Sequence, residues 1–504
     1  MNASLLLLEI AVAALGLGLL LADLWTPTHL KRSLGYAAAL GLTLILLGSF
    51  ALGTGDAFGK MYVLDGLALF FKRFFLLAAV IVLLISVEFS DRIQAGHSEF
   101  YALVLFALCG MLFAASANDF VLVFVSLELI TITFYVLNSF QRARMASLEA
   151  GVKYLILGAL STAFTVYGIA LIFGTTGQTN FAQIAAVAGN VPKQPVFLLG
   201  LLMVLVGLGF KIAAFPFQIW APDVYQGSPT PATAFLAVGS KAAGIVLLIR
   251  VLFSAVPAVT AQWSQLLMVI SAVTILYGNL CAIPQRNLKR LLGYSSIAHA
   301  GYLLLGVAAM NAAGSSAILY YLSGYLFTLL AAFMVIALVT REAQDEDITA
   351  LAGLFQRSPL LATALTLSMV SLAGIPPLAG FFGKFLLIRA VLERGALQPA
   401  SYWLIGVALV GVVISFYYYL GVVRAIFWSA AASSPARIEV SWPSRAVLLA
   451  CVLGMFYLGL LPNRILEASS QAVKVLSFAP NSRSAVAVKA GPNAPGTAPA
   501  LAPR

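Results

Sequence analysis

Apolar residues in this chain do not alternate with polar ones. They run together in blocks of about 20, separated by short stretches that carry Lys, Arg, Pro and Gly. A helix that crosses a bilayer needs about 20 mostly apolar residues, and about fourteen windows satisfy that length. They cover residues 3–24, 34–53, 66–88, 99–116, 119–139, 150–173, 195–220, 230–253, 263–282, 289–310, 315–340, 358–391, 402–427 and 445–462. So strong a signal points to helices, because the strands of a membrane barrel alternate and are far less apolar. Two windows are interrupted. The seventh holds Pro216 near its end and is followed by Pro222, and the twelfth contains GIPPLAGFFGK. Proline removes a backbone donor and clashes with the preceding turn, so helices 7 and 12 are expected to be broken. The expected fold class is an all-α polytopic membrane protein of about fourteen transmembrane helices.

A weak internal repeat runs through this pattern. LILGALST (155–162) aligns with YLSGYLFT (321–328), matching Gly158 to Gly324 at an offset of 166 residues. The same offset sets the Pro216 helix against the GIPPLAGFFGK helix. One five-helix unit (99–253) is thus expected to recur as a second (263–427), and an odd helix number inverts the copies in the membrane. Inverted repeats with broken helices are a transporter architecture, with the site at the breaks. Three N-terminal helices (1–98) precede the units, and a C-terminal helix with its flank (428–478) follows. The Ala/Pro-rich tail (479–504) lacks what a core needs and is expected to be disordered. The first segment, SLLLLEIAVAALGLGLLLADL, has no basic start or clear cleavage site and reads as a retained helix.

Composition agrees with this reading. The chain has 504 residues, 62% of them hydrophobic and 9% charged, where a soluble domain carries roughly a quarter charged. Its net charge of +11 comes from Lys and Arg scattered singly between apolar blocks, so no nucleic-acid-binding face is indicated. Loops on one side hold Lys31, Arg32, Arg92, Arg142, Arg144, Arg286, Lys289, Arg290, Arg341, Arg357, Arg424, Arg437 and Arg445, whereas the other side has mainly Lys60, Lys193 and Arg394. By the positive-inside rule both termini should face away from the cytoplasm. Cys109, Cys281 and Cys451 lie far apart in apolar runs and read as packing residues, with no disulfide, zinc or iron–sulfur pattern.

Charges inside the bilayer are costly and point to function. Glu128 lies mid-helix in VLVFVSLELITITFYVL, Lys211 just before the first break, Lys241 within FLAVGSKAAGIVLLI, and Lys384 after the second break. His299 sits in GYSSIAHAGYLLLG, and Lys153 near the start of the sixth helix. A desolvated ammonium is penalised while charged, and a carboxylate nearby restores that form, so moving Glu128 relative to Lys211 would switch the lysine between holding and releasing a proton. Each pKa unit is about 1.4 kcal/mol, so small rearrangements suffice. Lys72 and Arg73 read as snorkelling to the headgroups. Glu88, Asp119 and Asp223 read as solvated or capping, and Tyr417, Tyr418 and Tyr419 as packing or an interface belt rather than a cofactor box. There is no GxGxxG after a strand, no P-loop and no Ser/His/Asp arrangement. The residues by themselves leave open a cation/proton antiporter exchanging sodium or potassium for protons, whereas a purely structural scaffold would not keep so many intramembrane charges.

Three stretches carry a resemblance. PFQIWAPDVYQGSPTPATAFLAVGSKAAG, from Pro216 to Gly244, NLKRLLGYSSIAHAGYLLLG (287–306) and GIPPLAGFFGKFLL (374–387) are similar to the subunit N family of the proton-pumping NADH–quinone oxidoreductase, respiratory complex I. The similarity spans residues 1 to about 465, and the PDVYxGxPTP block sets this family apart from its paralogues. The resemblance implies a proton channel in which Glu128 pairs with Lys211, Lys241 and His299 pass the proton on, and Lys384 leads to the exit, with Lys153 modulatory. It implies neighbouring membrane subunits A, J, K and M in a bacterial inner membrane. It places no cofactor on this chain, and puts quinone, flavin mononucleotide and iron–sulfur clusters on other subunits.

Overall fold

A computed structural model describes residues 3–93, 95–188, 194–341, 346–395, 399, 401–429 and 437–478; Lys193 and the Ala/Pro-rich tail lie outside the described residues. The apolar blocks fold into α1 (Leu7–Asp23), α2 (Leu34–Gly48), α3 (Gly66–Phe89), α4 (His97–Ser116), α5 (Phe120–Asn138) and α6 (Met145–Thr176). The interrupted seventh window becomes α7 (Pro195–Ile212) and α8 (Trp220–Gly227), followed by the continuous α9 (Thr230–Ala255). Next come α10 (Pro257–Ala282), α11 (Leu288–Ala308) and α12 (Ala312–Val339), and the interrupted twelfth window becomes α13 (Pro359–Ala373) and α14 (Ala379–Gly395). The chain closes with α15 (Ser401–Trp428), α16 (Trp442–Leu460) and a short amphipathic α17 (Asn463–Ala472). Thirteen helices among the described residues are long and apolar enough to cross a membrane, and α13 is a shorter apolar one. Outside the helices, a small antiparallel hairpin pairs Gly55–Ala57 with Tyr62–Leu64, and Asp65 then caps α3 by accepting from the Ala68 amide at 2.8 Å.

Both breaks are built alike. At the end of α7, Ala213 adopts φ 59° while the Ala214 amide donates back to the Gly209 carbonyl at 2.9 Å. At the end of α13, Gly374 adopts φ 88° while the Ile375 amide donates to the Val370 carbonyl at 3.2 Å. This is a left-handed helix stop with a six-to-one hydrogen bond, and prolines just beyond prevent the helix from resuming.

One contiguous apolar cluster runs through the molecule from Leu8 to Leu476. At its centre α9 is buried along its length, and α11 almost as fully. α10 approaches α11 closely because Gly278 has no side chain: a Cβ there would lie 2.3 Å from the Ala298 amide nitrogen. Lipid gives helices no hydrophobic reason to associate, so such close backbone contact supplies the packing energy. It also fixes the level of the neighbouring His299.

Candidate functional site

Three of the predicted lysines, Lys211, Lys241 and Lys384, reach a polar partner in the centre of the bundle. Lys211 occupies the last turn of α7, 4% exposed, and its ammonium donates to Thr131 Oγ1 at 3.0 Å and Tyr154 Oη at 3.4 Å. Lys384, 5% exposed, donates to the Leu372 and Ala373 carbonyls at 2.8 and 3.0 Å, the free carbonyls at the end of α13. Both cations therefore sit at helix C-termini exposed by the breaks, where the helix dipole attracts positive charge. The Lys384 ammonium also lies 5.0 Å from the centre of the Tyr302 ring.

Lys241 lies just past a π-helical stretch, Leu236–Ser240, in α9. Its ammonium donates to both the hydroxyl and the carbonyl of Ser296 on α11. That hydroxyl also contacts Tyr225 Oη at 3.0 Å and accepts from Tyr325 at 3.1 Å. His299 is one turn further along the same helix face. Its Nδ1 bonds the Tyr321 hydroxyl, and its Nε2 lies 3.0 Å from the hydroxyl of Tyr419, which also bonds Ser295. α11 thus carries a buried ladder of hydroxyls and one imidazole between Lys241 on α9 and the second break. On the other side, Gly244 lies against the Lys211 side chain: a Cβ there would be 3.2 Å from Lys211 Cγ. Lys211 therefore packs against α9 at Gly244, one turn along that helix from Lys241.

Glu128 departs from the expectation of a fully buried carboxylate. It is half-buried and joins Val121, Val125, Ile132 and Val136 on one stripe of α5, whose apolar members are 44–53% exposed. No ion pair joins it to Lys211 among the described residues. The Thr162 hydroxyl donates to it at 2.6 Å, while Lys211 binds Thr131, one turn away on the same helix. Lys153 is not brought to the ladder. It is 40% exposed and pairs at 2.6 Å with both Glu149 and Asp223, the latter also held by Arg290. Its neighbour Tyr154 is the one that touches Lys211.

Two other readings are overturned, and the capping role of Asp119 holds. Lys72 does not snorkel: it is fully buried and paired with Glu9 on α1, with Tyr62 Oη 3.1 Å from the same carboxylate. Nothing local in the sequence links residues 63 positions apart. Glu88 is neither solvated nor capping. It is 3% exposed, accepts from Ser441, and lies 3.7 and 3.9 Å from Arg32 and Arg341. Within the tyrosine run, Tyr417 is 70% exposed, Tyr418 is buried and donates to Asn279, and Tyr419 joins the ladder. Asp119 does cap α5, accepting from the Val121 amide at 2.8 Å. Outside the membrane helices, burial by itself would push the Glu346 carboxyl up, but Lys289 and Arg144 outweigh it and hold it below the usual glutamate range.

Residues 117–415 match the NADH:quinone oxidoreductase/Mrp antiporter transmembrane family. NADH-quinone oxidoreductase subunit N of Trichlorobacter lovleyi is 41% identical over 483 residues, covering 94% of this chain and 98% of that protein. Its counterpart in Rhodospirillum rubrum is 38% identical over 485 residues, with 94% and 97% covered. A chain of the Thermus thermophilus respiratory complex I with bound aureothin superposes with a TM-score of 0.77 at 35% identity, covering 92% of this chain and 99% of that one. A chain of the Mrp complex from a Dietzia species superposes at 0.81 with 23% identity, covering 94% and 98%, a likeness of fold.

Proposed function

The chain belongs to the subunit N family of NADH–quinone oxidoreductase, and on that premise we propose that Lys211, Lys241, His299 and Lys384 form its proton relay. The protein is a proton-translocating, multi-pass membrane subunit of that complex, working alongside its other membrane subunits. The observation that carries the relay is the ladder on α11: Lys241 bonds Ser296, which accepts from Tyr325, and the Tyr325 ring lies 5.1 Å from the imidazole of His299, itself bonded to Tyr321 and Tyr419.

The chemistry follows from the donor set. Each lysine holds a proton against an acceptor that a small movement can exchange. Serine and tyrosine hydroxyls both donate and accept, so they can pass a proton on without bearing charge for long. The imidazole does the same with two nitrogens, one on each side of the ring. Lys211 takes its proton when Glu128 approaches and gives it up when Glu128 withdraws. In the state described here Thr131 and Tyr154 hold the ammonium instead, so the pair is apart. Water entering at the helix breaks, where backbone groups are exposed, bridges the longer intervals. Lys384 at the second break is the exit, and Lys153 with Asp223 and Arg290 adjusts the charge at the first turn of α8.

The redox steps, with quinone, flavin mononucleotide and iron–sulfur clusters, belong to other subunits in this reading. Subunits M, K, J and A cover the apolar flanks, and the α5 stripe that bears Glu128 faces one of them, which would let a neighbour move that carboxylate. The membrane is the bacterial inner membrane, with both termini away from the cytoplasm. The two broken-helix units, 99–253 and 263–427, act as inverted halves about the Lys241 region. The test is Ser296→Ala in the assembled complex, assayed for NADH-driven proton uptake by inverted vesicles. A hydrogen bond to a charged group contributes about 1.5–3 kcal/mol, so pumping should fall roughly ten-fold or more. Full pumping in the assembled variant would remove the ladder from the relay.

A further inference from the structure

Adjacent residues on α3 do opposite things. Lys72 turns inward to Glu9, whereas Arg73 turns outward and meets no carboxylate among the described residues. Its guanidinium lies 4.3 Å from the centre of the Phe50 ring and donates from one nitrogen to the Ser49 carbonyl at 3.1 Å. Its Nε is buried with no hydrogen-bond partner. A guanidinium has five N–H donors in a fork that fits a phosphate oxygen pair, and only one is engaged by the protein here.

Around this arginine the surface opens into an apolar groove of about 900 Å³ between α2, α3, α12 and α16, with α17 lying across one end. Along α3 it reaches from Gly66 to Leu77. Eleven residues at about 1.5 Å each make about 16 Å, roughly half of a hydrocarbon core about 30 Å thick. Arg73 lies within this stretch, so the groove runs about 10 Å along α3 on its Gly66 side and about 6 Å on its Leu77 side. Its walls are apolar, Leu47, Phe74, Leu77, Phe327 and Leu453 among them, and Arg73 is the one charged residue among the described residues that line it. The Arg73 guanidinium is level with Ser49 and Phe50, at the end of the span Thr28–Ala51, so a cation near a membrane face is set into an apolar groove, and basic groups between membrane helices recognise anionic headgroups.

We propose that this groove is a binding site for one anionic phospholipid, its phosphate held by Arg73 and its acyl chains lying between α3 and α16. The lipid wedges the N-terminal helices against α12, the helix that also carries Tyr321 and Tyr325.

The test uses the whole complex, purified in detergent, stripped of lipid, and re-exposed to phosphatidylglycerol or phosphatidylcholine. Lipid retained on this subunit is then read by native mass spectrometry. The wild-type chain should keep one phosphatidylglycerol, roughly five- to ten-fold in preference to phosphatidylcholine, and Arg73→Gln should abolish the preference. Leu453→Trp, at a position 67% exposed, should fill the groove and lose the lipid while Arg73 stays in place, and it decides the matter if Arg73→Gln fails to assemble. Equal retention by the wild-type chain and whichever variant assembles would overturn the proposal. So would a photoreactive residue replacing Phe50 that labels a neighbouring subunit rather than phospholipid.

Discussion

Removing Glu9 alone should destabilise this protein severely, whereas removing it together with Lys72 should not. The two groups are 2% and 0% exposed and share a hydrogen bond, with Tyr62 as the third member. Deleting one partner of a buried pair leaves an uncompensated charge and costs about 3–5 kcal/mol, while replacing both with apolar residues of similar volume is close to neutral. At about 1.4 kcal/mol per factor of ten, Glu9→Leu should lower the folded-to-unfolded ratio by a factor of roughly a hundred to several thousand. Glu9→Leu with Lys72→Met should restore it, because Tyr62 keeps its 2.9 Å bond to the Leu5 carbonyl. The assay is the amount of intact complex in membranes after a heat challenge, read on a native gel, with NADH-driven pumping per assembled complex measured alongside. Since the pair lies off the α11 ladder, the assembled double variant should pump at the wild-type rate. A double variant as unstable as the single one would refute the account of the pair. One that assembles, oxidises NADH and does not pump would show that Glu9 and Lys72 carry protons.

Two further outcomes follow from local geometry. Gly374→Ala places a Cβ at φ 88° and 3.0 Å from Lys384 Cδ, so it should displace that lysine from the α13 carbonyls. Pumping should fall at least several-fold in complexes that still assemble, and unchanged pumping would detach Lys384 from the exit. Glu346 is held below the usual glutamate value of 4.5, so the stability it contributes is complete above that pH and is lost as the pH falls below it. Glu346→Gln should therefore lower thermal stability at pH 7 and flatten the further loss on acidification below 4.5, measured by light scattering of the purified complex; an unchanged acid limb would contradict the assignment.

How much of this was legible in the sequence depended on how far apart the interacting residues lie. Helix positions were readable because an apolar run of spanning length has a single outcome in lipid. The breaks were readable because proline acts on its own helix, and observed ends such as Ile212 and Ala373 fall just before Pro216 and Pro376. Lys211, Lys241 and Lys384 stood out because a charge deep in an apolar run is conspicuous by itself. What failed was pairing. Lys72, seven residues beyond Asp65 at the cap of α3, sits where a lysine could reach the headgroups, and only packing against α1 shows that it turns to Glu9 instead. Tyr419 sits among three tyrosines whose local sequence is alike, and the helix rotation that aims one at His299 is set by α11. Glu128 looked central along α5 and is central in depth, but which side of the helix it occupies is decided by neighbours.

The most direct measurement is NADH-driven proton uptake by inverted membrane vesicles carrying Lys211→Ala, with assembly of the complex checked on the same sample. If Lys211 is part of the relay, the assembled variant loses most of its pumping, and NADH oxidation falls with it. If an assembled complex pumps and oxidises NADH at the wild-type rate, the lysine at the first break is structural and the relay proposed here is wrong.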